Sequence, residues 1–547
     1  MSHAPSASAP VVTHAHWFGT AEQPTLGWLS ASTSHPGPSG VLLLPPVGYE
    51  YWTTHRSLRT LAEELAQAGH LALRLDYTGT GDAAGNQWDA DLLSRWQADV
   101  RAGVQALRER GATSITLIGL RVGGTLALNL AHEVGADAVV AWVPVTSGRR
   151  YVKEIQLLSM AAPDDVPTSA GPGARYLAGC VFSAELLTGL AALSTDAVQT
   201  TARVLVLDRT DKASSQKLVE ALGNAGANVQ HVVLDGADRM LDQPTEYATV
   251  PREHLSAIVD WCAAALSTRT RTGPLAALPA AQAVGHLRCE GRLITEREVT
   301  LGAPGLVGIE SAPAQGPADA TVVFLNTGSE PHVGPGRAWV ELSRRLAAAG
   351  HRAIRVDFRG WGESPDEGHA PGRPYDLHTV DDTHTIVHAL HARGDRRIVL
   401  VGLCAGAWVA LHRCQTLPLA GLIAFNPQLY WQPGDPVFAT IPEDMAWRQS
   451  ETPNNPAWAD AALRAVKTWL DDICRAPYPV DFWFSRNDQG ILYIQQVLGG
   501  GALVGQAMGA LTIRELPHLD HAMHLQWHRA EAFEALSAML GRLAPAT

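Results

Sequence analysis

The sequence predicts an α/β protein made of two tandem domains, each a mostly parallel sheet flanked by helices and carrying a cap insert. Three observations support this prediction. The chain has 547 residues, which is too long for one ordinary domain. Continuous apolar segments alternate with amphipathic segments, as they do where a parallel sheet is covered on both faces. The same succession of segments occurs twice, which indicates duplication.

The repeated succession is a strand with a turn, a helix, a second strand with a turn, and a third strand that ends in a glycine-rich turn. In the first half these segments are GVLLLPPVGYE, LRTLAEELAQAG, LALRLDYTGTGD and SITLIGLRVGG. In the second half they are TVVFLNTGSEP, WVELSRRLAAAG, RAIRVDFRGWGES and RIVLVGLCAGAW. The glycine turn after the second strand is shared and has no G-K-[ST] sequence, so we predict a common turn there and not a phosphate-binding loop.

A segment rich in Ala, Pro, Thr and Gly, Ser267–Gly285, separates the halves and is typical of a linker. We predict domains at residues 1–266 and 288–547, joined by a linker at 267–287. Each half also has a less regular insert, which in the second half spans about Gln428–Arg475. This insert is predicted to cap the carboxyl edge of the sheet, where α/β proteins place ligands. Its aromatic residues could line a pocket or pack on the core; they are Tyr430, Trp431, Trp447, Trp458 and Trp469.

Composition excludes several classes of protein. Hydrophobic residues make up 46% and charged residues 18%, as in globular proteins. The net charge of −12 argues against a nucleic-acid partner. Six cysteines without a C-x-x-C pair fit a reducing cytosol and suggest no metal or cofactor motif. The start lacks the features of a signal peptide, and no apolar run reaches the roughly 20 residues of a membrane span, so a cytoplasmic protein is expected.

The third strand of each half leads into the frame G-x-S-x-G, the nucleophile elbow. In LVGLCAGAW this frame has Cys404 in place of serine, and in LIGLRVGGT it has Arg121. The small residues Gly402 and Gly406 suit a sharp turn from strand to helix. The motif alone is weak in a chain with 50 glycines, so its value depends on whether partner residues follow.

A thiol at the elbow needs a base and an orienting carboxylate, because a free thiol is mostly protonated at neutral pH. The expected order along the chain is nucleophile, acid, histidine. The segment YPVDFWFSRNDQG supplies a late strand followed by Asp488, whereas Asp481 lies inside the strand. The segment LTIRELPHLDHAMH supplies three candidate histidines after the final strand, namely His518, His521 and His524.

Alignment of the halves selects His521, because LDGADR then pairs with LPHLDH and Arg239 with His521. Asp211 follows Arg121 by 90 residues, and Asp488 follows Cys404 by 84. The second half therefore has the predicted triad Cys404, Asp488 and His521. The first half has Arg121, Asp211 and Arg239, and arginine serves neither as nucleophile nor as base. We predict that the first domain is degenerate, with both arginines paired to Asp211.

Two further features concern the site. Acyl transfer needs donors to the developing oxyanion, and we predict the N–H of Ala405 and the loop residue Ser329, with Gly328 second. The three-residue spacing of His518, His521 and His524 permits a metal site. Their loop-like context without Glu or Cys partners argues against one.

These residues resemble the α/β-hydrolase superfamily, and more narrowly two hydrolases associated with exosortase A exopolysaccharide systems. The Cys type has G-L-C at the elbow, as at Gly402–Cys404, and an N-x-G…V-G-P-x-R segment, as at Asn326–Gly328 and Val333–Arg337. It continues with an acidic residue where this chain has Ala405. The Arg type has P-P-F-x-E-E and G-L-R-x-G, approximated by PPVGYE and GLRVG in the first half.

The resemblance implies a fusion of two tandem α/β-hydrolase domains, with acyl chemistry in the second. We therefore predict a thioester acyl-enzyme on Cys404 that passes its acyl group to an amine, alcohol or water. Transfer, hydrolysis and lactone opening all remain open, as does a non-catalytic binding scaffold. The acyl donor is expected to be a small molecule, a coenzyme A thioester or a carrier-protein thioester. Candidate substrate contacts are Trp431, Tyr430 and Arg337.

Overall fold

The computed structural model describes most of the chain, in two compact units. The described residues are 10–20, 23–34, 37–158, 173–177, 179–196, 198–212, 215–266, 283–367, 373–429, 456–486, 488–497, 505 and 507–543. Unit 1 comprises Met1–Pro244 and Ala248–Leu287, and unit 2 comprises Thr245–Tyr247 and Arg288–Thr547. Most of the predicted linker lies outside the described residues. The predicted fold class, two α/β domains with mostly parallel sheets, is confirmed.

The strands described in the first part of the chain are β1 (Val11–Gly19), β2 (Pro24–Ser32), β3 (Ser39–Leu44), β4 (Leu71–Leu75), β5 (Ser114–Leu120), β6 (Ala138–Trp142), β7 (Arg175–Leu177), β8 (Cys180–Phe182), β9 (Arg203–Arg209) and β10 (Val229–Leu234). Eight of those described form one sheet in the order β1-β2-β4-β3-β5-β6-β9-β10. The strands from β4 to β10 in that order run parallel, and β1 and β2 are antiparallel. Strands β7 and β8 form a separate hairpin.

The helices described beside this sheet are α1 (Tyr49–Gln67), α2 (Leu92–Glu109), α3 (Val122–Leu130), α4 (Gly148–Leu158), α5 (Ala184–Ala192), α6 (Gln216–Asn224), α7 (Ala237–Leu241) and α8 (Arg252–Leu266). Helix α1 buries Leu58, Leu61 and Leu65 on one face, the spacing of an amphipathic helix. It begins at Tyr49, earlier than the predicted segment, because its first turns also bury Tyr51 and Trp52.

The second part of the chain repeats this plan. Its described strands are β11 (Val284–Cys289), β12 (Arg292–Leu301), β13 (Leu306–Pro313), β14 (Thr321–Phe324), β15 (Arg352–Val356), β16 (Ile398–Leu403), β17 (Gly421–Phe425), β18 (Val480–Ser485), β19 (Ala507–Met508) and β20 (Leu511–Leu516). As described, they form one sheet in the order β11-β12-β13-β15-β14-β16-β17-β18-β20-β19. The segment from β15 to β20 in that order is parallel.

The helices described in this part are α9 (Ala338–Ala348), α10 (Leu377–Arg393), α11 (Ala405–Leu411), α12 (Pro456–Cys474), α13 (Gln489–Val497) and α14 (Arg529–Arg542). Short 3₁₀ turns occupy Pro335–Arg337, Cys414–Thr416 and Gln526–His528. None of the described helices is both long enough and apolar enough to cross a membrane.

The central strands of each sheet are buried on both faces, which explains their continuous apolar runs. In β3, Leu42 and Leu44 belong to one apolar cluster, and Val41 and Leu43 belong to another. Successive side chains of a strand point to opposite faces, so each face has its own core layer. Strands β14 and β16 divide their residues between two further clusters in the same way.

The sheet registers show how closely the units correspond. Arg209 on β9 pairs with Leu234 on β10, and Ser485 on β18 pairs with Leu516 on β20. Arg239 follows Leu234 by five residues, as His521 follows Leu516. The two residues therefore follow equivalent strands at equal distance.

The shared glycine turn holds a buried aspartate in each unit. Asp82 N–H donates to Asp76 Oδ2 at 3.0 Å, and Glu363 N–H donates to Asp357 Oδ2 at 2.9 Å. A Cβ on Gly81 or on Gly362 would lie about 2 Å from the aspartate carboxylate. The turn thus serves to wrap backbone around a carboxylate, which is a structural role.

Candidate active site

Cys404 occupies a strained turn between β16 and α11. Its backbone has φ 53° and ψ −114°, a region that residues with a side chain rarely adopt. Its N–H donates to the carbonyl of Phe425 on the neighbouring strand at 2.9 Å. A Cβ on Gly402 would lie 2.2 Å from the carbonyl oxygen of Gly406, so the turn requires glycine at that point. The side chain of Cys404 is partly exposed at the carboxyl edge of the sheet.

His521 and Asp488 meet beside this turn. Nδ1 of His521 lies 2.5 Å from Oδ2 of Asp488, and the other carboxylate oxygen accepts the N–H of Gly490 at 2.7 Å. Asp488 is buried, whereas His521 is partly exposed. Because Nδ1 faces Asp488, Nε2 is the ring nitrogen left to hydrogen-bond Cys404.

The pKa of His521 reflects these neighbours. Burial lowers it, but hydrogen bonds to Asp488 and Cys404 and the negative charges of both groups outweigh burial and raise the pKa to about 10. The site therefore favours the protonated, imidazolium form of His521 beside Cys404.

Two residues that the sequence analysis missed contact the predicted triad residues. The side-chain amide of Asn426, which directly follows β17, donates to Ser485 Oγ at 2.9 Å and to the carbonyl of His521 at 2.8 Å. Its amide oxygen accepts the Ser485 N–H at 2.7 Å. Tyr375 places its hydroxyl 3.7 Å from Sγ of Cys404. Neither residue belongs to a sequence motif, so the fold alone reveals them.

The predicted oxyanion loop packs against the elbow. A Cβ on Gly406 would lie 2.4 Å from the carbonyl oxygen of Asn326, where the loop begins. Ala405 is the first residue of α11, so its N–H has no carbonyl acceptor within the helix. The hydroxyl of Ser329 is buried and has no hydrogen-bond partner among the described residues. Both predicted donors are therefore chemically available.

A cavity of about 430 Å³ adjoins the His521–Asp488 pair. Its volume is in the range of small-molecule sites. The residues that line it are Gln428, Ser485, Arg486, Asp488, Gln489, Leu519, Asp520 and His521. Most of these side chains are polar.

The predicted substrate contacts are only partly within the described residues. Tyr430, Trp431 and Trp447 lie outside them. Arg337 is buried at the start of α9 and is not among the residues that line the cavity. Trp469 on α12 packs against His412 with ring centroids 4.2 Å apart, and its indole N–H donates to the carbonyl of Leu411 at 3.2 Å. This tryptophan therefore packs on the core.

The competing residues have other partners. Asp481 is buried within β18 and bonds to Arg542. Nδ1 of His518 lies 2.5 Å from Glu531 Oε1. Within the described part of the chain, no group of three His, Cys, Asp or Glu side chains is arranged to hold a metal ion.

Unit 1 has the same elbow with an arginine. Arg121 has φ 55° and ψ −117°, and its N–H donates to the carbonyl of Trp142 at 3.0 Å. Its guanidinium donates from Nε to Glu50 at 2.7 Å and from Nη2 to Glu154 at 3.1 Å, and it stacks 5.5 Å above the ring of Tyr151. Burial lowers the pKa of Arg121, but the two carboxylates outweigh it and raise the pKa overall.

The predicted ion pairs with Asp211 are therefore wrong. Asp211 is half exposed and accepts two hydrogen bonds from Arg209, at 2.6 and 2.7 Å. Arg209 is the last residue of β9 and lies two residues before Asp211, so its guanidinium is close enough to bind both carboxylate oxygens. Arg239 lies in α7. The arginine at the elbow is held instead by Glu50 at the start of α1 and by Glu154 on α4.

Comparison with known families agrees with this description of the fold. Residues 322–536 match the alpha/beta hydrolase family, and residues 52–206 match the family described as serine aminopeptidase, S33. Together these matches support assignment of the chain to the α/β-hydrolase superfamily. The second match includes Arg121 at the elbow position, where the family name implies a serine. We therefore take this match as support for the fold of residues 52–206 and not for peptidase activity.

Solved structures with this fold cover about half of the chain each. Est1E from Butyrivibrio proteoclasticus, solved with ferulic acid bound, is 16% identical with a TM-score of 0.37, covering 46% of this chain and 99% of its own. An esterase from Pyrococcus furiosus is 16% identical with a TM-score of 0.32, covering 45% and 91%. A proline iminopeptidase from Mycobacterium smegmatis is 17% identical with a TM-score of 0.31, covering 45% and 98%. No curated protein is significantly similar in sequence.

Proposed function

We propose that unit 2 is a cysteine-dependent acyl-transfer enzyme. Cys404 attacks the carbonyl carbon of an ester, thioester or activated amide and forms a thioester acyl-enzyme, which an amine, alcohol or water then resolves. The contact between His521 and Asp488 beside the strained Cys404 carries this proposal, because a binding module has no need for an oriented imidazole next to a thiol.

Each residue has one role in the proposed reaction. In the resting pair Nε2 of His521 already holds the proton, so the Cys404 sulfur bonds to the carbonyl carbon as a thiolate while the π electrons of the carbonyl move to its oxygen. The N–H of Ala405 and the hydroxyl of Ser329 donate to that oxyanion. As the oxyanion collapses, the bond to the leaving group breaks, and the leaving group takes the proton from His521. The acceptor gives its proton to His521, attacks the thioester carbon and releases the acyl product, which restores the thiolate and the imidazolium.

Unit 1 has no catalytic role in the proposed reaction. Unit 1 is a degenerate hydrolase domain, because Arg121 has no lone pair to act as a nucleophile at the elbow. The donor is a small acyl compound or an acyl thioester of coenzyme A or a carrier protein. A thioester intermediate is more open to amines, relative to water, than an oxygen ester, which favours transfer.

Intact-protein mass spectrometry tests this function. Wild type and Cys404→Ala are incubated with acyl thioesters and aryl esters, with and without an amine. We expect the mass of one acyl group on wild type and none on Cys404→Ala, with faster clearance by amine than by water.

The matched control is Cys474→Ala, because Cys474 is also a partly exposed free cysteine in unit 2. It must acylate like wild type. Clearance by water alone would identify a hydrolase. An equal adduct on Cys404→Ala, or a Cys404 inert to every donor and to alkylation at neutral pH, would reject the enzyme in favour of a binding scaffold.

A further inference from the structure

Tyr375 is placed against the reacting sulfur by an element unrelated to the predicted triad. It lies just before α10, and it is 1% exposed. Its hydroxyl oxygen is 3.7 Å from Sγ of Cys404, within the range of a hydrogen bond to sulfur. The predicted triad partners come from the loops after β18 and β20, so separate elements of the chain contact the sulfur.

Packing of the ring fixes the position of this hydroxyl oxygen. The ring of Tyr375 meets the ring of Trp408 edge to face, with centroids 5.5 Å apart and planes at 85°. Trp408 lies on α11, one turn after Cys404, and is fully buried. The tyrosine ring therefore rests on the same short helix that carries the sulfur. Because both groups are anchored to one element, the distance from hydroxyl to sulfur is built into the fold.

The chemistry of the two atoms sets the direction of the hydrogen bond. A neutral thiol is a weak donor and a weak acceptor, whereas a thiolate is a strong acceptor and a tyrosine hydroxyl a good donor. Next to a thiolate, the hydroxyl can only donate. Among the described residues, the imidazolium of His521 is hydrogen-bonded to Cys404, and the carboxylate of Asp488 lies behind it.

We infer that Tyr375 donates a hydrogen bond to the Cys404 thiolate and stabilises it in the resting enzyme. This inference rests on the proposed function, since it concerns the same nucleophile. The hydroxyl and the imidazolium bind the sulfur from different elements and so fix its direction as well as its charge. Tyr375 is a donor to the reacting atom and takes no proton in the reaction.

The test removes the hydroxyl and keeps the ring. In Tyr375→Phe the contact with Trp408 remains, so the fold is expected to persist. Alkylation of Cys404 by iodoacetamide is followed by mass spectrometry from pH 5.5 to 10. We expect the rate at pH 6.5 to fall about tenfold, the effect of one hydrogen bond to a charged group. The two rates should converge towards pH 10, because a free thiol is largely ionised at that pH without a hydrogen-bond donor.

Tyr478→Phe is the matched control. Tyr478 is also a buried tyrosine of unit 2, and its hydroxyl donates to the carbonyl of Cys414. Its loss removes one buried hydrogen bond away from Cys404, so the alkylation profile should not change. If both variants lower the rate equally at every pH, Tyr375 has only a structural role and the inference is overturned.

The outcomes separate this inference from the proposed function. A wild-type Cys404 that reacts fast at pH 6.5, with an unchanged rate in Tyr375→Phe, would overturn the tyrosine's role and leave the enzyme intact. A wild-type Cys404 as slow as Cys474 at that pH would count against the thiolate itself, and so against both. A pH-dependent loss confined to Tyr375→Phe is the supporting result.

Discussion

Arg121 and Cys404 adopt nearly the same backbone conformation, with φ of 55° and 53°, although one has a guanidinium and the other a thiol. A conformation of this kind costs about 1–3 kcal/mol and persists where the surrounding structure imposes it. At Cys404 the strained turn presents the side chain that we propose as the nucleophile. At Arg121 the same strained turn directs a cation towards Glu50. Burial raises the pKa of Glu50, and the positive charge of Arg121 offsets only part of that rise.

The arginine should therefore be important for stability and not for acyl chemistry. In Arg121→Ser, Glu50 loses its buried partner, and we expect about 3–5 kcal/mol of stability to be lost in unit 1. Denaturant unfolding measures this loss, and acylation of Cys404 measured on the folded fraction should be unchanged. The double variant Glu50→Gln/Arg121→Ser should recover part of the stability. A single variant as stable as wild type would refute the role of the ion pair.

At the scale of the element, the strand–elbow–helix segment occurs in both units with the same geometry. The elbow glycines Gly119 and Gly402 face the same obstacle, because a Cβ would lie 2.1 Å from the Gly123 carbonyl oxygen in one unit and 2.2 Å from that of Gly406 in the other. The two turns have different central residues, but both need glycine two positions earlier. This requirement comes from the backbone of the fold and not from the catalytic chemistry.

Matched alanine variants of these glycines separate fold from chemistry. Gly402→Ala should displace α11 and reduce acylation of Cys404 by at least about tenfold, because small displacements of a nucleophile are costly. Gly119→Ala should destabilise unit 1 about as much as Gly402→Ala destabilises unit 2, and it should leave acylation of Cys404 unchanged. Acylation rates and thermal unfolding of both variants give the comparison. Equal loss of acylation in the two variants would contradict this separation.

At the scale of the whole molecule, each unit has its own core and its own buried ions. In unit 2, Glu296 on β12 is fully buried and accepts hydrogen bonds from Arg344 on α9 and Arg355 on β15, at 2.7 and 3.1 Å. Burial raises the pKa of Glu296, but the two guanidinium groups outweigh burial and lower the pKa to about 2. One carboxylate thus links three elements of the second sheet.

Stability of unit 2 should consequently depend on pH. An unfolded glutamate titrates near 4.3, so this contribution is complete above that pH and is lost as pH falls towards 2. We expect wild type to lose on the order of 3 kcal/mol in that interval from this residue. Glu296→Gln should be less stable at pH 7 and should depend less on pH between 4.5 and 2. Parallel pH profiles of the two proteins, measured by denaturant unfolding, would exclude this assignment.

The antiparallel strands ahead of each parallel sheet show where sequence patterns are insufficient. The sequence predicted the central strands because burial on both faces leaves continuous apolar runs. Strand β12 has no such run, and one of its inward positions holds Glu296. A charged residue at an inward position interrupts the alternation of apolar and polar residues by which a strand is predicted. Its partners on α9 and β15 come close to it only in the folded chain.

The sequence by itself determined the duplicated α/β plan, the elbow with its glycines, and the order Cys404, Asp488, His521, because local spacing and strand periodicity encode these features. Tertiary structure alone decided which charges meet. Arg121 reaches Glu50 and not Asp211, and Tyr375 reaches Cys404, because each contact joins residues distant in sequence that two packed elements bring together. Hydrogen bonds and ion pairs act over a few ångströms, and the path of the folded backbone sets those distances.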